Sequence, residues 1–214
     1  MVEIAVSLHS GPKINLAKTL TLLEKGGADY FHIDVMDGNF VSEIDFGENL
    51  VKEISNYSSI PLDIHMMVNN PEKLISHYCC KTTKVIGIHV ESTQHIHRAL
   101  TLIKHAGKKS EVIINPGTPV IAVKPVLNIV DQVMVMSVDP GTSGAKFIPN
   151  AVNKVKELDD LRQINHYHYQ IEADGSISNQ NINELKKAGL DIAVSGSYIF
   201  KGNFKKQIQT LKNI

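Results

Sequence analysis

Two rhythms of apolar and polar positions take turns along this chain. Short runs of strand character stand at 4-IAVS-7, 29-DYFHIDV-35, 61-PLDIHMM-67, 84-KVIGIHV-90, 111-EVIIN-115, 132-QVMVMSV-138, 168-HYQIEAD-174 and 191-DIAVSG-196. Between them lie segments whose apolar residues recur at helical spacing, such as 14-INLAKTLTLLEKGG-27, 71-PEKLISHYCC-80, 95-HIHRALTLIKHAGK-108, 151-AVNKVKELDDLRQ-163 and 178-SNQNINELKKAGL-190. Several of these stop at glycine (Gly26-Gly27, Gly107, Gly189), the usual residue just past a helix end.

Eight such strand–helix units in 214 residues, with no linker or break in composition, predict a parallel sheet covered on both faces. Eight units suit a closed (β/α)8 TIM barrel, a single domain over residues 1–214 near the short end of its size range. The rival is an open doubly wound sheet. It would carry a glycine-rich turn after the first strand, where this chain reads VSLHSGP.

Composition narrows the function. Lys+Arg and Asp+Glu balance at 22 each, so no basic arm suits nucleic acid and no acidic tail is present. No run approaches the roughly 18 apolar residues of a membrane helix, so no membrane partner is expected. The opening MVEIAVSLHSG lacks the basic start and long apolar core of a secretory leader, which makes a cytoplasmic location the expectation. The two cysteines, Cys79 and Cys80, are adjacent, which is not a metal-ligand spacing; they read as packing residues in a reducing compartment.

In a barrel of this kind, chemistry gathers where the strands end. The polar residues there are Ser7, His32, Asp34, Asp63, His65, His89, Glu91, Asn115, Ser137, Asp139, Glu172, Asp174 and Ser195 to Ser197. Side chains alternate along a strand, so His32, Asp34 and Met36 share one face. So do Asp63, His65 and Met67 on the third strand, and Gln170, Glu172 and Asp174 on the seventh. If these faces point inward, two imidazoles and two carboxylates converge at the barrel mouth, a shell suited to one divalent transition ion: zinc, iron(II), manganese or cobalt. Taken singly, each residue has an ordinary explanation: a hydrogen-bonded core histidine, an aspartate in a turn, a methionine filling the core. The conjunction is more specific. Two strands carry H-x-D or D-x-H, each followed two residues later by Met, and a third ends E-x-D-G. His9, His77, His95, His97, His105, His166 and His168 fall in helices or at element edges and are expected on solvated surfaces; His89 is expected to be buried beside the site.

The ordered segments HIDVMDG, LDIHMMV, HVE, NPGTP, MSVDPG, KFIP, EADGSI and SGSYIF resemble the ribulose-5-phosphate 3-epimerase family along essentially the whole chain. The resemblance implies a metal-dependent, ribulose-phosphate-binding barrel acting on a small-molecule sugar phosphate at carbon 3. It assigns the metal to His32, Asp34, His65 and Asp174, and the two acid/base roles to Asp34 and Asp174. It places Met36, Met67 and Met136 against a planar enediolate, with Ser7 and His65 touching substrate. The phosphate would meet Gly175 and Ser176, Gly196 and Ser197, and a lid spanning Gly141 to Gly144. Relatives form dimers or hexamers, so a homo-oligomer is expected, with no seam in the sequence to choose between them.

The chain departs from that pattern around the substrate. Val6-Ser7 stands where A-P-S is usual, Ser42-Glu43 where P-N is usual, Gly141-Thr142-Ser143-Gly144 in the lid, and Asp174-Gly175-Ser176 in place of D-G-G. Ser176 can replace glycine as a backbone donor provided its φ is not positive, and Glu43 adds a negative charge at the mouth. Allulose-6-phosphate 3-epimerases share this shell, and their seventh-strand turn can also read D-G-S, so a hexulose phosphate is the alternative substrate. A decarboxylating barrel would carry D-x-K-x-x-D where this chain has HIDVMDG. A non-catalytic sugar-phosphate-binding paralogue would have no physical need for a complete ion shell.

Overall fold

In a computed structural model describing residues 2–142 and 144–214, the strand-type runs all become strands. Ser143, within the expected lid, lies outside the described residues. The strands are β1 (Glu3–Ser7), β2 (Tyr30–Asp37), a two-residue β3 (Ile44–Asp45), β4 (Leu62–Met67), β5 (Thr83–His89), β6 (Lys109–Ile114), β7 (Gln132–Met136), β8 (Gln170–Asp174) and β9 (Ile192–Ser195). β1 pairs in parallel with both β2 and β9, which closes the sheet and removes the doubly wound rival. β3 runs antiparallel to the end of β2 and stands outside the ring of eight. Around the barrel lie α1 (Leu16–Gly26), α2 (Glu48–Tyr57), α3 (Ile96–His105), α4 (Asn150–Asn165), α5 (Ile182–Lys187), α6 (Ser197–Phe200) and α7 (Phe204–Asn213). Gly27, Gly107 and Gly189 follow helix ends in the left-handed conformation, as their positions predict.

One predicted helix is absent. Residues 71–80 form two 3₁₀ turns, Pro71–Lys73 and Ile75–Tyr78. Ten residues are too few to repay helix nucleation without strong propensity, and Ile, His, Tyr and two Cys supply little. Cys79 and Cys80 are free thiols packed at the edge of the core, as expected.

The alternation along each strand sorts two interiors. On β2, Phe31, Ile33 and Val35 join the apolar layer between barrel and helices. The intervening His32, Asp34 and Met36 point into the barrel and are equally buried, so β2 is enclosed on both faces. Ala5, Tyr30, Ile113, Met134, Ile192 and Val194 fill part of the barrel interior. The same space holds Asp63, Glu111, Gln132 and Glu172, all at most 1% exposed.

Glu111 and Glu172 are bridged by the Gln132 amide, which donates to Glu111 Oε1 at 2.9 Å and also to Glu172 Oε2. Burial, with the Asp63 charge, pushes Glu111 up to about 8 and Glu172 well above the carboxylate range. A carboxyl whose pKa is higher folded than unfolded contributes stability that is complete at low pH. That contribution is lost as pH rises from the unfolded value of 4.5 through about 8. Glu111→Gln, which cannot ionise, is therefore expected to stabilise the fold by on the order of 1–3 kcal/mol at pH 8 and by much less at pH 5. Thermal melts at the two pH values check this; an equal gain at both removes the linkage.

Candidate active site

β2, β4 and β8 deliver the four expected side chains to one point. In the β2–β4 ladder Asp34 stands beside His65 and Met36 beside Met67; across the barrel Met136 stands beside Asp174. His32 Nε2 lies 3.3 Å from His65 Nδ1, 3.5 Å from Asp34 Oδ1 and 3.8 Å from Asp174 Oδ2. His65 Nδ1 lies 3.3 Å from Asp34 Oδ1 and 3.7 Å from Asp174 Oδ2. Ligands held about 2.1 Å from a tetrahedral ion stand about 3.4 Å from one another. Two nitrogens and two carboxylate oxygens, all within 4.8 Å of one another, therefore fit a divalent cation in both spacing and donor type.

Three of these side chains, and the backbone of the fourth residue, are held from behind. The Ser7 hydroxyl donates to Asp34 Oδ2 at 2.7 Å, leaving Oδ1 to face the cluster. His32 Nδ1 meets Asp63 Oδ2 at 2.6 Å, leaving Nε2 to face the cluster. His65 Nε2 lies 2.8 Å from His89 Nε2. The Asp174 carbonyl accepts from the backbone N–H of Ser137 at 2.7 Å and from its hydroxyl at 2.9 Å.

The electrostatics separate the two aspartates. Burial opposes the charge of Asp34, but the His32 and His65 contacts override it and hold the group well below its usual value. Burial raises Asp174 to about 7, with Asp34 and Asp63 adding to it against the pull of His32. Burial likewise opposes charge on His32, yet Asp63 and Asp34 lift it well above an ordinary histidine. Burial lowers His65. This is an anionic cluster that holds protons where a cation would otherwise balance the charge.

Above the cluster opens a pocket of about 430 Å³ lined by Ser7, Asp34, Met36, Met67, Met136, Gly141, Gly144, Asp174, Gly175, Ser176, Gly196 and Ser197. His32 and His65 lie beneath it, wholly buried. Gly175 has a φ of +122°, and a Cβ there would come within 2.6 Å of Val138 Cγ2 and 2.8 Å of the Val138 backbone nitrogen. Any larger residue would displace the end of β8 from the pocket wall.

Two expectations are corrected at the rim. His9, expected on a solvated surface, lines the pocket, with Nδ1 2.7 Å from Asp45 Oδ2 and Nε2 3.3 Å from Glu43 Oε2. Its hydrogen bond with Asp45 raises its pKa, which favours the charged form of His9 beside Glu43. Ser176 has a φ of +52°, the conformation in which a glycine was needed. Its hydroxyl donates to the carbonyl of Ala145, tying the β8 turn to the loop after β7. Ser176→Ala keeps the strain and loses the tie, at an expected cost of about 1 kcal/mol. Ser176→Gly loses both and is expected to cost less. Urea midpoints rank the two variants, and the reverse order discards the tie.

A model of the ribulose-phosphate 3 epimerase family matches residues 3–200. The chain belongs to the ribulose-phosphate 3-epimerase family. A ribulose-phosphate 3-epimerase of Aquifex aeolicus is 38% identical over 215 residues, covering 100% of this chain and 97% of that protein. One from Bacillus subtilis is 34% identical over 214 residues, covering 99% of each. Among solved structures, a tryptophan synthase α-subunit of Pyrococcus furiosus superposes with a TM-score of 0.72 at 16% identity, covering 100% of this chain and 98% of the other. At that identity the likeness is one of fold.

In this member of the 3-epimerase family, some residues at and behind the site escaped sequence reasoning. Asp63 was placed on the right face without its partner, His32. Glu91 and Lys154 had no role; Lys154 lies on the buried side of α4 with Ala151, Val155 and Leu158. A lysine inside an apolar stripe is the signal that could have marked it. No helix among the described residues is long and apolar enough to cross a membrane.

Proposed function

We propose that the chain, as one domain over residues 1–214, is a metal-dependent epimerase that interconverts D-ribulose 5-phosphate and D-xylulose 5-phosphate. The observation that carries this is the convergence of His32, His65, Asp34 and Asp174 on one point at the floor of the pocket. The names of the relatives support the pentulose over a hexulose phosphate.

Inverting carbon 3 beside a carbonyl requires a proton to leave one face and another to arrive on the other. Asp34 on β2 and Asp174 on β8 both line the pocket and flank a substrate lying across it. One takes the carbon-3 proton to give a planar cis-enediolate; the other donates to the opposite face, and the roles exchange in reverse. His32, Asp34, His65 and Asp174 would hold one divalent transition ion, which would supply a Lewis acid for the negative charge developing on the substrate oxygens. Ser7 fixes which Asp34 oxygen faces the substrate. Met36, Met67 and Met136 exclude water and offer no exchangeable proton to the intermediate. Gly175, Ser176, Gly196 and Ser197 present backbone N–H groups to the phosphate, and the loop from Gly141 to Gly144 covers it.

The test is incubation with ribulose 5-phosphate and, separately, allulose 6-phosphate in D₂O, following deuterium at carbon 3 and appearance of the epimer. Faster turnover of the pentulose supports the assignment. Preference for the hexulose replaces the substrate, and no exchange with either ends the epimerase reading.

A further inference from the structure

Three of the four proposed metal ligands lean directly on a side-chain hydroxyl, a carboxylate or the backbone. His65 does not: its outer nitrogen meets another imidazole. Resting on the metal-site reading above, we propose that His89 and Glu91 are positioning residues. They set the tautomer and orientation of His65, with Lys154 anchoring the loop that holds Glu91.

The proton inventory gives the direction of this chain. His65 faces the cluster with Nδ1, so a lone pair must be free there and its ring proton must sit on Nε2. That Nε2 lies 2.8 Å from His89 Nε2, which must therefore accept. A neutral His89 that accepts at Nε2 carries its own proton on Nδ1. His89 is wholly buried, with Phe40 packed against its ring at a centroid distance of 4.7 Å. Its Nδ1 lies 3.4 Å from Glu91 Oε2, close enough to pair though not aligned as a hydrogen bond, with the Asn115 side chain as a second neighbour. The second Glu91 oxygen is already engaged by the Asn115 N–H at 2.9 Å and by the Thr118 hydroxyl. The loop carrying these donors is clamped by Lys154, whose Nζ donates to the carbonyls of Asn115 at 2.9 Å, Pro116 at 2.8 Å and Thr118 at 2.6 Å. Donors thus converge on Glu91 from both sides: His65 Nε2–H toward His89 and His89 Nδ1–H toward one Glu91 oxygen, and the loop clamped by Lys154 onto the other.

A carboxylate at the far end admits one arrangement of protons, because it can only accept. Glu91→Gln keeps the volume but can put an N–H against His89 Nδ1–H. His89 then turns over its tautomer and donates toward His65, which moves the His65 proton onto the metal-facing nitrogen. Loss of such outer partners typically weakens metal binding about 10–100-fold.

The test strips the protein of metal and titrates zinc against a chromogenic chelator, alongside His65→Ala as a control for the site. ¹H–¹⁵N spectra of the histidine rings of the zinc-loaded protein report the tautomers. One tight equivalent in the unaltered protein, lost in His65→Ala and weakened at least tenfold in Glu91→Gln with an unchanged far-ultraviolet spectrum, is the expected result. His89→Gln, which retains an acceptor toward His65, is expected to bind zinc at least fivefold more tightly than His89→Leu; this pair decides should Glu91→Gln fail to fold. Equal zinc affinity in Glu91→Gln and the unaltered protein, or a His65 proton on Nδ1 in the loaded form, overturns the relay and leaves the metal site standing. Absence of tight zinc binding in the unaltered protein, or its survival in His65→Ala, overturns the metal-site reading and the relay with it.

Discussion

Asp174→Asn is expected to slow epimerisation in both directions by about 10³–10⁴-fold while leaving one hydrogen-exchange reaction in place. Asparagine keeps the volume and a ligating oxygen but cannot take a proton from carbon. The epimer whose carbon-3 hydrogen faces Asp34 can still lose it to that carboxylate and recover deuterium from D₂O without inverting. The other epimer loses both reactions. Asp34→Asn is expected to reverse the pattern, with a larger loss of metal. The Asp34 carboxylate is 4% exposed and accepts from Ser7 while facing both imidazoles, so its replacement disturbs more of the cluster. The measurement is deuterium incorporation into each epimer separately, with metal content determined on the same samples. Equal exchange of both epimers by a metal-loaded Asp174→Asn protein would mean that a single base serves both faces.

The four converging side chains were legible because strand periodicity has no freedom. His32 and Asp34, or Asp63 and His65, cannot sit two apart in a strand without sharing a face. Once eight units imply closure, that face is the barrel interior, and the polar ends of its strands must meet. The support behind them was less legible. Asp63 reaches His32 across the β2–β4 ladder, and Glu91 is fixed by a loop that leaves β6 and is clamped from α4. These contacts join elements far apart in order, and their pairing depends on strand register, which composition does not state. His9 was misread because the turn after β1 bends inward over the mouth; a short 3₁₀ turn has no periodicity from which its exposed side can be told. Ser176 shows the same limit at one residue. Serine predicts an ordinary turn, but the end of β8 imposes a positive φ, and the bond to Ala145 offsets part of its cost.

Removal of the proposed cation is expected to be the second large effect. Chelation is expected to lower kcat/KM by at least about 10³-fold, several kcal/mol of charge stabilisation at the enediolate oxygens, and one equivalent of a divalent transition ion is expected to restore it. The sign of the pH dependence follows from the cluster itself. Without a cation, Asp63 and Asp34 hold a proton on His32 well above the usual histidine range, and burial holds one on Asp174 up to about 7. Ligation requires both groups deprotonated, so uptake at pH 6 must expel protons, and apparent affinity must fall as pH falls, by up to about tenfold per unit for each proton released. Above pH 7 the Asp174 contribution ends and the slope becomes shallower. Calorimetric titration of the stripped protein at pH 6 and pH 8, in buffers of different ionisation enthalpy, counts those protons. Release greater at pH 6 than at pH 8 is the expected outcome; cation uptake without proton release would mean that it binds away from His32 and Asp174.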